Sequence, residues 1–179
     1  TQKSEVAKKA VEAGAHIVND VGGLRNDNMI SVVSEMNVPV IMMHMQGTPE
    51  NMQKNPQYGD VVEDIKEWLE ERINAAEKAG IKRSNIIVDP GIGFGKNLKH
   101  NLKLLQNISI FHSLGFPIML GTSRKRFIKD ISGINDSKER LGGTISSSLC
   151  AMMQGIQILR VHDVNEVNQS IKVFKSLKF

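Results

Sequence analysis

The chain has 179 residues, 40% hydrophobic and 23% charged, which is ordinary for a globular protein and enough to bury a sizeable core as one domain or part of one. Its formal net charge is +4, but Lys and Arg are interspersed with Asp and Glu, and aromatic residues make up only 4%. That leaves few stacking platforms for nucleic acid, and the positive excess suits a small anionic substrate. No apolar run approaches the ~20 residues of a membrane span, so no membrane association is expected.

Thr1 is not a methionine and a helix begins within a few residues, so the chain is expected to continue upstream. Ser4 is placed to cap that helix, which runs to about Ala13 and ends at Gly14. A strand over Ala15 to Val18 follows, ending on Asn19-Asp20. A short helix from about Asn28 to Met36 leads to an apolar strand, Val38 to His44. Gln46 to Asp60, rich in Gly, Pro, Asn and Gln, reads as a long loop. Asp60 or Val61 opens the longest helix, to about Ala79, with Ile65, Trp68, Leu69, Ile73 and Ala76 as its apolar stripe. Trp68 is therefore a core residue. After Gly80 comes the strand Ile86 to Val88, and then an amphipathic helix from Leu98 to Ile110; His100 and His112 lie on helices and read as surface residues.

The strand Phe116 to Leu120 runs into Gly121-Thr122-Ser123-Arg124-Lys125-Arg126. A small helix over Phe127 to Ile131 precedes a long one over Ser137 to Gln154. In the latter, Cys150 lies in an apolar stretch and reads as a small buried residue. As the lone cysteine it excludes an intrachain disulfide and points to a reducing compartment, the cytoplasm by default or an organelle if a transit peptide precedes Thr1. Ile156 to Val161 is the last strand, ending at His162-Asp163, and Val164 to Leu177 is the last helix. Five strands alternating with helices predict parallel pairing through right-handed crossovers. A closed eight-stranded barrel of this kind needs ~250 residues, so five repeats leave it three strands short.

The strands end on Asn19-Asp20, His44, Asp89, Ser123-Arg124-Lys125 and Arg160-Val161-His162-Asp163. A parallel α/β sheet or barrel gathers ligands at these ends. Asp89 could accept paired hydrogen bonds from an amidine-like N–H edge such as that of a pterin or guanine. Lys125, Arg160 and His162 could hold a carbonyl oxygen and a phosphate or pyrophosphate. Gly91, Gly93 and Gly95 would let backbone approach a flat ring. Gly95-Lys96 resembles the end of a phosphate-binding loop, but Asn97 replaces the required Ser/Thr and the upstream glycine spacing is wrong. The histidines are dispersed, so no metal cluster has the usual ligand spacing.

Asp89-Pro90-Gly91-Ile92-Gly93-Phe94, Gly121-Thr122-Ser123-Arg124-Lys125 and Arg160-Val161-His162-Asp163, with Ile17-Val18-Asn19-Asp20 and Met43-His44-Met45-Gln46-Gly47-Thr48-Pro49, resemble dihydropteroate synthases of folate biosynthesis along the whole chain. The resemblance implies a (β/α)8 TIM barrel, here an incomplete one covering about strands 4–8 and helices 3–8, with residues 1–179 as a single pterin-binding domain. It implies condensation of 6-hydroxymethyl-7,8-dihydropterin pyrophosphate with 4-aminobenzoate to 7,8-dihydropteroate and pyrophosphate. By the same analogy Asp89 and Asn19 bind the pterin, Lys125 reaches its carbonyl side, and Met43 and Gly121 line the pocket. Arg160 and His162 hold pyrophosphate, while Phe94, Ser123 and the Lys125-Arg126 turn lie near the aminobenzoate.

Lys125, Arg160 and His162 are thus the expected catalytic groups, acting with Mg²⁺ on the leaving group. The resemblance places the metal-contacting Asn of the first loop upstream of Thr1, so no metal ligand is expected in this chain. Also upstream would lie a Ser-Thr-Arg-Pro-like loop and a pterin-binding Asp, after which Thr1 comes next. Gln46 stands where many members carry Arg. A homodimer is implied when the chain is complete, with Met152, Met153, Ile156, Val167, Ile171 and Val173 either feeding that surface or packing on the barrel. Two other readings are a non-catalytic pterin-binding or assembly module and a pterin-dependent methyltransferase on the same barrel.

Overall fold

A computed structural model describes residues 1–177. In chain order the elements are α1 (Ser4–Glu12), β1 (Val18–Asp20), α2 (Asp27–Met36), β2 (Val40–Met43), α3 (Val61–Lys78), β3 (Ile86–Asp89), α4 (Leu98–Gln106), β4 (Met119–Leu120), α5 (Arg126–Ser132), α6 (Leu141–Met153), β5 (Ile158–Leu159) and α7 (Val164–Ser176). The predicted alternation holds throughout; β2, β4 and β5 are shorter than expected, β1 falls later than Ala15 to Val18, and β3 extends one residue further, to Asp89. The helix ends follow local chemistry. Asn26 accepts from the Asn28 N–H, Asp60 from the Val62 N–H, and Asn97 and His100 form a reciprocal capping box on α4.

At α1 the sequence reading needs correction. Ser4 lies inside the helix, Lys3 is the flanking residue with no side-chain cap, and Thr1 Oγ1 accepts the Lys3 N–H at 3.1 Å. The expected helix from Leu98 to Ile110 breaks at Asn107 into α4 and a 3-10 helix, Ile108–Leu114. The expected 137–154 helix likewise splits into a 3-10 turn, Ser137–Glu139, and α6.

All strand pairs are parallel. β1, β2 and β3 form one sheet, in which Val18 pairs with Val40, Val40 with Ile86 and Met43 with Asp89. β4 and β5 form a second, with Met119 opposite Ile158. The two are joined by a single bridge, Val88 to Ile118, in which the Val88 N–H donates to the Pro117 carbonyl at 3.0 Å. The row is open: among the described residues no strand pairs β1 with β5, so the barrel is not closed.

Side-chain parity divides the sheet. Val18, Val40, Met42, Ile86, Val88, Ile118 and Leu120 face the helices, where they join Met29, Ile65, Leu69 and Phe111 in the main core. Ile41, Ile87 and Met119 face the other way and form a small second cluster with Ile158. Trp68 packs against the main core as expected. Phe111 is fully buried in it, so Phe111→Ala should cost about 3–5 kcal/mol, read as a shift of the urea midpoint at unchanged m-value.

On α6 the expectation for Cys150 fails. Thr144, Ser148 and Ala151 are the inward residues, and Cys150 is exposed. The helix packs by its small residues, Gly143 approaching Ile128 too closely for any side chain. His112 is half-buried, its Nε2 2.8 Å from the Gln154 carbonyl, and half-buried His100 meets Tyr58 edge to face. Neither is a plain surface residue. Of the late apolar residues, Ile156 and Val167 are buried, whereas Met153 and Val173 are well exposed. Among the described residues no helix is long and apolar enough to cross a membrane.

Candidate active site

The parity that turns Ile41, Ile87 and Met119 away from the helices carries the candidate residues with it. Asn19 pairs with Ile41 across the ladder, and Met43, Asp89, Gly121 and Arg160 each lie two positions beyond a member of that face. The strand ends therefore present an amide, a thioether, a carboxylate, a bare backbone and a guanidinium on one side of the sheet. Asn19 Nδ2 is buried and finds no hydrogen-bond partner among the described residues. A buried, unpaired amide N–H is costly unless something fills the site. Neighbouring Asp20 is structural instead: its two oxygens accept the Gly22 and Leu24 N–H groups, each at 2.8 Å.

Asp89 is buried at the end of β3, with one oxygen accepting the Gly91 N–H at 2.8 Å. Burial raises its pKa, opposed by the charges of Lys125, Lys96 and Arg160 and by the Gly91 hydrogen bond. Lys125 stands over the Phe94 ring, Nζ 4.7 Å from its centroid, and donates to the Ile92 carbonyl. Its pKa is lowered to about 8 by burial, with Asp89 pulling it up and Arg160 pushing it down. Carboxylate, ammonium and aromatic ring thus stand at the join of the two sheets.

Ser123 Oγ lies 2.9 Å from His162 Nδ1 and accepts the His162 N–H at 3.2 Å, tying the loops after β4 and β5. Arg124 sits between them at φ 58°, a conformation uncommon for a non-glycine residue. It is held by both oxygens of Asp163, by Thr144 Oγ1 on its N–H, and by the Arg140 guanidinium on its carbonyl at 2.8 Å. The Arg124 hydrogen bonds hold the Asp163 carboxyl below the usual range. Arg160 and His162 are exposed beside the open edge of β5. Arg126 points outward, 3.6 Å from Asp130, into a cleft of about 300 Å³ that also touches Gln53, Gly93 and Phe127.

His44 does not join this group, although it ends a strand. One residue past Met43, its side chain turns to the helix side, edge-on to Trp68 at 5.0 Å, and burial lowers its pKa to about 2. Four residues that sequence reasoning missed brace the site. Asn101 accepts the Gly93 N–H at 2.7 Å, Arg140 and Thr144 hold Arg124, and Lys96 is buried with its ammonium on the Phe94 carbonyl. The Asn97-to-Asn101 helix start carried a local signal, and Lys96 reaches a carbonyl two positions back, whereas Arg140 and Thr144 act from 16 and 20 positions away.

Among the described residues no three His, Cys, Asp or Glu side chains converge. The charges around Asp89 are cationic. This donor set does not fit a divalent cation, and no step below is derived through one.

A family model described as "Pterin binding enzyme" matches residues 1–162. The dihydropteroate synthase of Escherichia coli K12 is 40% identical over 176 residues, covering 98% of this chain and 62% of that protein. The structure of dihydropteroate synthase from Thermus thermophilus in complex with 4-aminobenzoate superposes with a TM-score of 0.94 at 40% identity, covering 99% of this chain and 68% of the other. The same enzyme in complex with 6HMPPP gives 0.95 at 39%, covering 100% and 71%. The Yersinia pestis enzyme with a sulfonamide drug gives 0.96 at 36%, covering 99% and 65%. The chain thus spans about 62% of the length of the Escherichia coli relative. On family match, identity and fold together, this chain belongs to the pterin-binding enzymes, with dihydropteroate synthases as its relatives.

Proposed function

We propose that this chain supplies the substrate-binding face of a dihydropteroate synthase, joining 6-hydroxymethyl-7,8-dihydropterin pyrophosphate to 4-aminobenzoate. The observation that carries this reading is the buried Asp89 carboxylate set among Lys125, Lys96 and Arg160 on the same sheet face as the unpaired Asn19 amide. Asp89 accepts the 2-amino and N3 hydrogens of the pterin, and Asn19 donates to the ring. Lys125 reaches the pterin carbonyl side, with Met43 and the bare backbone of Gly121 as pocket walls. Arg160 and His162 take the pyrophosphate. Phe94, Ser123 and Arg126 flank the aminobenzoate. Residues 1–179 act in this as a single pterin-binding domain of an incomplete (β/α)8 barrel.

The reaction breaks the bond between the exocyclic methylene and the pyrophosphate oxygen and forms a bond from that carbon to the aminobenzoate nitrogen. The electron pair leaves with pyrophosphate, and the arylamine proton is lost to solvent. Cations that stabilise the departing oxygen matter more here than a strong base, and no side chain need act as nucleophile. Mg²⁺ dependence, a homodimer and a cytoplasmic site belong to the proposal for the full-length protein.

The test is pyrophosphate release by the full-length native protein in Mg²⁺ buffer. Release is expected only when both substrates are present; none from a folded protein would defeat the synthase reading. Asp89→Asn keeps the shape and the Gly91 hydrogen bond but loses the charge. It should weaken pterin binding by about a hundredfold, the worth of hydrogen bonds to a charged acceptor, measured by calorimetry. The open edges of β1 and β5 favour one second reading, a pterin-binding module that acts by pairing with another chain. It predicts pterin binding that survives without pyrophosphate release. The relatives' dihydropteroate synthase descriptions give a methyltransferase no support.

A further inference from the structure

Lys96 is the one buried lysine among the described residues, 3% exposed. Its Nζ lies 2.8 Å from the Phe94 carbonyl and 3.0 Å from His44 Nδ1. The Phe94 carbonyl can only accept, so Nζ donates to it, whereas the roles of Nζ and Nδ1 follow the His44 tautomer. Burial lowers the pKa of both partners. No carboxylate lies within ion-pair distance of Lys96 among the described residues. A buried amine without a paired counter-charge is expensive to keep, and a methionine of similar length would avoid that cost.

What Lys96 holds is a loop with little stiffness of its own. Gly91, Gly93 and Gly95 all have positive φ, which glycine adopts freely. The loop is fastened from outside: Gln53 Nε2 donates to the Gly93 carbonyl and the Tyr58 hydroxyl to the Gly95 carbonyl, each at 2.8 Å, and Asn101 takes the Gly93 N–H. The Phe94 carbonyl is fastened by Lys96. The ring of the same residue lies under Lys125 Nζ, so the backbone that Lys96 fastens is the one that carries the ring.

We propose that Lys96 is a positioning residue: a buried amine that pins the Phe94 carbonyl to His44 at the end of β2 and so fixes the aromatic wall of the aminobenzoate subsite. This deepens the synthase reading and rests on it for the identity of the substrate. Lys96 lines the same cleft as Gly93 and Arg126, and its proposed action is through the Phe94 backbone. Its field also reaches Asp89, so its loss acts on the pterin end as well, by a weaker, through-space route.

The test is Lys96→Met in the full-length native protein, with three readouts. KM for 4-aminobenzoate should rise by about tenfold, the cost of leaving one buried acceptor unsatisfied, with kcat changed by less than about threefold. The calorimetric Kd for pterin pyrophosphate should change by at most about a fifth as much. Amide exchange at Gly91 to Gly95 should quicken while β3 stays protected. Equal weakening of both substrates, or an unchanged aminobenzoate KM, overturns the proposal. If Lys96→Met fails to fold, His44→Leu keeps the lysine, removes its other anchor, and carries the same expectations. If the unaltered protein releases no pyrophosphate, the synthase reading fails, and exchange in the 91–95 loop alone decides whether Lys96 braces it.

Discussion

Replacing Lys125 with methionine should lower kcat by about 10²- to 10³-fold, the scale seen when one preorganised donor is removed from a developing negative charge. Its ammonium is held at three points, by the Asp89 charge, the Ile92 carbonyl and the Phe94 face. Burial nevertheless brings its pKa down from 10.5 to about 8. Catalysis and stability should therefore respond to pH in opposite directions. Above about pH 8 the folded protein loses the proton from Lys125, so kcat/KM falls. Between about 8 and 10.5 the unfolded chain binds more protons than the folded one, so unfolding free energy rises with pH. Lys96, also lowered by burial, adds to that rise. Urea midpoints and kcat/KM taken at about pH 7.5, 8.5 and 9.5, on either side of that value, would show the crossing trends. In Lys125→Met the stability slope should shrink without vanishing. Parallel trends in the unaltered protein would mean that Lys125 does not titrate in this window.

Gly91→Ala should be the most damaging single methyl in the chain. Gly91 has φ 72°, and a Cβ there would lie 1.9 Å from the His44 carbonyl oxygen, a backbone atom at the end of β2. Neither atom can give way without moving β2 or β3, so a loss of about 4 kcal/mol or more is expected. Gly133 offers the control. Its φ is 76°, yet nothing lies within 4 Å of its added Cβ, so Gly133→Ala should cost only the left-handed penalty of about 1–2 kcal/mol. Thermal melts of the two variants side by side separate the clash from the backbone preference. Equal effects would show that β2 and β3 can part locally.

The helices and strands are legible in the sequence because most apolar strand runs stop on a polar residue and α1, α3, α5 and α6 stop at or next to a glycine. The face each strand residue takes is not. Val40 to Met43 and Ile86 to Asp89 are buried on both faces, so hydrophobic alternation cannot separate the sides. That is why His44 reads as a companion of Asp89, although one step of the pleat sends it to Trp68. Cys150 misleads for a related reason, since α6 buries the hydroxyls of Thr144 and Ser148 and leaves its thiol outside. Arg124 with Asp163, and Lys96 with His44, are 39 and 52 positions apart. Such pairs have no local pattern, and only the fold brings them together.

The seam between the two sheets has a mechanical meaning. Asn19 and Asp89 ride on the three-stranded half, while Lys125, Arg160 and His162 ride on the loops of the two-stranded half. Within the sheet, one bridge between β3 and β4 crosses that line; the reach of Lys125 to the Ile92 carbonyl spans it at the site, and the main core backs both halves. A molecule with a hydrogen-bonding head and an anionic tail would grip both halves at once and act as a splint across the joint. The spacing between its two ends would then serve as a gauge, set by how the halves meet, against which a head or a tail alone has no purchase.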